Sequence, residues 1–92
     1  MIRSFRHKGL RAFAATGSKA GIQASHAPRL ARMLARLDVA VDAQDMAVPG
    51  WNLHPLKGED AGRWSVWVSG NWRLTFAFER GDAADVDYQD YH

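Results

Sequence analysis

The period of the hydrophobic pattern changes once, at Pro49-Gly50, and that change constrains the fold more than any other feature. Before it, apolar residues recur at helical spacing; after it, they alternate with polar ones as strands do. In the first part, Leu10, Phe13 and Ala14 lie within a helix read over His7 to Thr16, and Gly17 follows where a left-handed cap belongs. Ser18 to Ser25 reads as a loop, and Pro28 suits the first turn of a second helix. On that helix Leu30, Leu34, Leu37 and Val41 make an apolar seam, while Arg29, Arg32 and Arg36 form a basic stripe. Such a stripe is either a solvated face or a contact for nucleic acid or an acidic protein.

In the second part, Trp64, Val66 and Val68 share one face of a strand, with Ser65, Trp67 and Ser69 on the other. Ser69-Gly70-Asn71 marks a hairpin, after which Trp72, Leu74, Phe76 and Phe78 align and Arg73, Thr75 and Ala77 point away. Gly81-Asp82 signals a further turn, and Val86 and Tyr88 continue the apolar face of a last strand. Helices grouped before strands give an α+β domain: two N-terminal helices packed on a twisted antiparallel sheet of three to four strands, with the other sheet face free for function. At 92 residues, 47% of them hydrophobic, residues 1–92 form a single domain around one core.

Charge is divided between the halves. Residues 1–50 carry eight Lys/Arg against three acids, a balance of +5, and the remainder carries four against seven, a balance of −3. A polyanionic partner suits the basic half, because clustered Lys and Arg attract phosphate backbones. With no cysteine there is neither a disulfide framework nor a thiolate metal site. The N-terminus leads into no apolar run of signal or membrane length, so a cytoplasmic protein without membrane association is expected.

Four histidines, His7, His26, His54 and His92, show no metal-ligand spacing, and neither a Walker loop nor a nucleophile elbow is present. No metal and no cofactor are expected. Strand pairing is able to gather a polar set of His54, Lys57, Arg73, Asp90, Tyr91 and His92. His54 beside Pro55 also reads as a turn cap, and Lys57 before Gly58 as ordinary loop solvation. At the end of the last strand, the chain carboxylate beside the His92 ring favours its protonated form.

The runs His54-Pro55-Leu56-Lys57-Gly58, Gly62-Arg63-Trp64-Ser65, Asn71-Trp72-Arg73 and Asp87-Tyr88-Gln89-Asp90-Tyr91-His92 together resemble the HigB toxins of the RelE superfamily, as does Ser4-Phe5-Arg6-His7-Lys8-Gly9-Leu10. The resemblance spans essentially the whole chain. It implies a RelE-like fold and a toxin of a type II toxin–antitoxin pair that cuts messenger RNA in the ribosomal A site. Its implied partners are a helix-turn-helix antitoxin of the HigA type, the ribosome with its messenger, and operator DNA only through the antitoxin. It places the catalytic residues at His54, Lys57, Arg73, Asp90, Tyr91 and His92. Arg29, Arg32, Arg36 and Arg63 are the candidate RNA contacts. Two positions depart from the family pattern. Gln89 stands where many relatives carry an acid, and Asp85, expected to share a face with Asp87 and either to weaken the last strand or to alter how acidic that edge is to a partner, stands where an apolar residue is usual. Two other functions remain open at this point: a toxin of the same fold that inhibits DNA gyrase without catalysis, and an inactive remnant that only binds its antitoxin.

Overall fold

A computed structural model describes residues 1–91, and His92 lies outside the described residues. Two helices precede a four-stranded antiparallel meander: α1 (Lys8–Thr16), α2 (Ala27–Val39), β1 (His54–Pro55), β2 (Trp64–Ser69), β3 (Trp72–Glu79) and β4 (Asp82–Asp90). The α+β architecture is as the sequence predicts.

Each helix begins and ends for a local reason. The backbone N–H of Leu10 donates to His7 Nδ1 at 2.9 Å, which makes His7 the N-cap of α1, and Gly17 closes the helix at φ 80°. Pro28 lies in the first turn of α2. The seam of α2 is Leu30, Met33, Leu34 and Leu37, all buried. Val41 does not extend it as the periodicity predicts. The backbone becomes extended at Ala40, and Val41 is 65% exposed with its N–H donating to Asp45 Oδ2. The carboxylate of Asp42 then caps a single helical turn over Ala43–Met46, which returns Met46 to the core.

The helices cover one sheet face, where Leu10, Leu30, Met33 and Leu37 meet Val66, Leu74, Phe76 and Val86. At the end of the sheet, the Trp72 and Tyr88 rings stack with centroids 4.4 Å apart, and His7 and His26 meet the Tyr88 ring edge-on. The Tyr88 hydroxyl lies 2.6 Å from His26 Nδ1, joining the start of α2 to β4. Arg29 reaches the end of β2: Nη2 donates to the carbonyls of Trp67 and Gly50, and the guanidinium stands 5.3 Å from the Trp67 ring centroid.

The N-terminal segment adds parallel bridges along the outer edge of β4, Ile2 to Ala83 and Phe5 to Val86, which the hydrophobic pattern does not announce. Between these bridges β4 has a bulge. Ala83 and Val86 are both fully buried although three positions apart, a spacing that puts them on opposite faces of a regular strand. Asp85, with φ 51°, is the inserted residue that restores the phase. Asp85 thus occupies the bulge and not a position in regular strand alternation. Its N–H donates to Ser4 Oγ at 2.8 Å, and its carbonyl accepts from Arg63 Nη2 at 2.8 Å.

Gly9 in α1 and Gly21 in the following loop touch backbone to backbone, and a Cβ on Gly9 would stand 2.7 Å from the Gly21 carbonyl carbon. Gly9→Ala is expected to lower stability by roughly 1–3 kcal/mol in chemical denaturation, the cost of forcing packed backbones apart. Partial burial holds the His26 ring below its ordinary histidine pKa. A depressed pKa means that the unfolded chain takes up the proton first, so this stability is present above the unfolded value and is lost as pH falls through the folded one. His26→Gln is expected to flatten that part of the stability profile between pH 7 and 5; an unchanged slope would show that His26 carries none of it.

Candidate active site

Alternation along the strands fixes which residues occupy the sheet face away from the helices. Cα register aligns His54, Ser65, Thr75 and Asp87 in one row across all four strands, and Trp67, Arg73 and Gln89 in the next. Ser65 and Thr75, at the centre of this face, are fully buried.

His54 stands exposed on the short edge strand. Its Nδ1 lies 3.0 Å from the Asn52 carbonyl, which only accepts, so the neutral ring carries its proton on Nδ1. Nε2 is then the basic nitrogen, and Ser65 Oγ sits beside the ring, 3.1 Å from Nε2 and 3.4 Å from Nδ1. Lys57 precedes a single helical turn over Gly58–Asp60 and is exposed; among the described residues no ion pair neutralises it. Arg73 is half-buried, with Nη1 donating to the carbonyls of Gly70 at 3.0 Å and Trp72 at 3.1 Å, which holds the guanidinium beside the β2–β3 hairpin.

Tyr91 follows β4 and is fixed by its N–H donating to the Asn71 carbonyl at 2.8 Å. Its phenol pKa is raised, first by burial and then by Asp60 and Asp87, against the opposing pull of Arg63 and Arg73. The phenol thus stands where the turn before β2, strand β3 and strand β4 converge, and it keeps its proton at neutral pH. Asp90 pairs with Trp72 and falls on the alternate side of β4 from Gln89, the side of Tyr88, whose hydroxyl pKa it helps to raise after the larger effect of burial. His92, assigned a role by the resemblance, lies outside the described residues.

The four candidate RNA contacts are placed differently from one another. Arg29 and Arg36 donate to backbone carbonyls, the latter to Asp45 at 2.7 Å, so these two serve the packing of α2. Arg32 is exposed on the same helix. Arg63 is only 7% exposed, and its Nη2 donates to Thr75 Oγ1 at 3.0 Å as well as to the Asp85 carbonyl. Its Nη1 is buried without a hydrogen-bond partner among the described residues, a desolvation cost of about 1–3 kcal/mol. Burial, helped by Arg6, lowers the Arg63 pKa, while Asp85, Asp87 and Asp60 hold it up.

Ser65, Thr75 and Gln89 share this face with the candidates that the motifs give. Ser65 and Thr75 were visible as outward positions in their strands, but only the pairing register puts them under His54 and beside Arg63. His7 and His26, by contrast, are occupied as a helix cap and as a partner of Tyr88. Among the described residues, no three His, Asp or Glu side chains converge as they would around a metal ion, and no helix is long and apolar enough to cross a membrane.

The sheet face offers a ring nitrogen of His54, the Arg73 guanidinium and the neutral Tyr91 phenol, with Lys57 exposed in the loop that follows β1. The family of RelE-like toxins of the type II toxin–antitoxin system HigB matches residues 3–92. The endoribonuclease HigB of Proteus vulgaris is 41% identical over 92 residues, covering the full length of both chains. The chain therefore belongs to the HigB-like toxins, the RelE-like toxins of type II toxin–antitoxin systems.

Proposed function

We propose that this toxin is an endoribonuclease that cleaves messenger RNA on the ribosome, using the sheet face that bears His54, Arg73 and Tyr91. The observation that carries this reading is the place of His54 on that face, exposed and in register with Ser65 and Thr75. With Nδ1 3.0 Å from the Asn52 carbonyl, the neutral ring leaves Nε2 as its basic nitrogen, available to a ribose 2′-hydroxyl.

RNA contains its own nucleophile, so the protein has only to align it and to manage charge and protons. Nε2 of His54 takes the 2′-hydroxyl proton as the 2′-oxygen attacks phosphorus. Arg73 and Lys57 stabilise the charge that develops on the nonbridging oxygens. The P–O5′ bond breaks, and His92 donates the proton that the departing 5′-oxygen requires, leaving a 2′,3′-cyclic phosphate and a 5′-hydroxyl. The Tyr91 phenol, kept protonated by burial, stacks on a base or donates to a phosphate oxygen. Arg32 is the member of the helical stripe best placed for an outlying RNA contact. The partners in this reading are the ribosome and a HigA-type helix-turn-helix antitoxin, which alone contacts operator DNA, and the setting is the cytoplasm. The name of the Proteus vulgaris relative supports the activity.

Brief induction followed by mapping of messenger 5′ ends tests this reading. New ends inside translated frames are expected for the wild type. They are expected to fall by about 10²- to 10⁴-fold for His54→Ala and for His92→Ala, with ribosome association retained. Growth arrest without new ends would contradict the nuclease reading and favour a gyrase-type inhibitor, and the absence of any toxicity would indicate an inert remnant.

A further inference from the structure

The open face of the sheet contains a hydrogen-bonded chain, anchored on the buried Arg63 and Thr75, to which the proposed chemistry assigns no role. Arg63 Nη2 lies 3.0 Å from Thr75 Oγ1, Thr75 Oγ1 lies 2.9 Å from Gln89 Oε1, and the Tyr91 hydroxyl lies 3.4 Å from that same oxygen. The direction of every bond follows from its first member. A guanidinium has donors only, so the Thr75 hydroxyl accepts from Arg63. Thr75 is fully buried and has no other hydrogen-bond partner among the described residues, so its single proton goes to Gln89. The Gln89 atom that faces Thr75 must then be the carbonyl oxygen, and Tyr91 donates to it as well. The amide nitrogen is turned the other way.

Gln89 is half-buried, in register with Arg73 on the same sheet face, and no protein acceptor among the described residues takes its amide N–H groups. Among the described residues the only buried side-chain polar atom without a partner is Arg63 Nη1, so the Gln89 amide nitrogen is not a buried, unsatisfied donor. The result is an oriented pair of neutral donors beside a cation, an arrangement suited to the nonbridging oxygens of a phosphodiester or to an acceptor edge of a base.

We propose that Gln89 is a substrate-binding residue that donates its amide N–H groups to the RNA, and that Arg63 is a positioning residue that fixes the amide through Thr75. This deepens the nuclease reading and rests on it. Thr75→Val removes the link and leaves the Arg63 bond to the Asp85 carbonyl untouched. Thr75→Ser restores the hydroxyl. Gln89→Glu keeps the acceptor for Thr75 and Tyr91 but replaces the outward donors with a charged oxygen.

Single-turnover cleavage of messenger on programmed ribosomes, measured against toxin concentration, separates half-saturation from maximal rate. Thr75→Val and Gln89→Glu are each expected to raise the half-saturating concentration about tenfold, the loss of roughly one hydrogen bond to a charged group, with a smaller effect on the maximal rate. Thr75→Ser is expected to match the wild type. Half-saturation within twofold of wild type for Gln89→Glu would overturn the proposal while leaving the nuclease reading intact, and this variant, which keeps the acceptor for Thr75 and Tyr91, decides the matter even if Thr75→Val fails to fold. A loss confined to the maximal rate would also overturn it. Wild-type toxin that makes no cut in this assay would overturn both.

Discussion

The buried guanidinium of Arg63 ties the start of β2 to β3 and to the bulge of the last strand. One nitrogen joins three elements, since Arg63 leads into β2, Thr75 belongs to β3 and the Asp85 carbonyl belongs to β4. The bond to Asp85 helps hold a bulge whose central residue has φ 51°, a conformation available to aspartate at modest cost. Beyond that bulge Val86 and Tyr88 point to the core, and Asp87 and Gln89 point to the open face. Without it each of these four residues would change sides, because strand alternation admits no half measures. A charge taken out of water is costly, and Nη1 of Arg63 has no compensating bond among the described residues. The arrangement persists because one cation serves the bulge and the polar centre of the site together.

The two sheet faces have a clear division of labour. The helix-covered face holds the hydrophobic core, and its aromatic end uses His7 and His26 as capping and bridging groups. The open face holds His54, Ser65, Thr75, Arg73 and Gln89 in register, with Tyr91 placed over them by its bond to the Asn71 carbonyl. Reactive geometry therefore comes from backbone pairing, and small changes in strand register would disperse it.

Much of this was legible in the sequence. The switch of period at Pro49-Gly50 separates helices from strands, and alternation in β2 and β3 puts Arg73 and Thr75 outside the core. The positions of His54, Lys57 and Tyr91 follow from their motifs. What could not be read has physical causes. Alternation cannot report a bulge, so Asp85 looked like a weakness in the strand. A helical period cannot report where the backbone leaves the helix, so Val41 was counted with the seam that Met33 completes. Basic residue type signals charge and not its partner: Arg29 and Arg36 bind carbonyls, and Arg63 is inside. Nor does hydrophobic pattern foretell the parallel bridges from Ile2 and Phe5 to β4, which are made by backbone groups.

The account as a whole depends on attack by the ribose 2′-hydroxyl from the face that bears His54. The chemistry of the cut ends tests it most directly. Messenger cleaved by the purified toxin on programmed ribosomes should carry a 5′-hydroxyl on the downstream fragment and a 2′,3′-cyclic phosphate on the upstream one, the latter opening in time to a monophosphate. A 5′-phosphate paired with a free 3′-hydroxyl would mean that water, and not the RNA's own hydroxyl, was the nucleophile, and would contradict the mechanism.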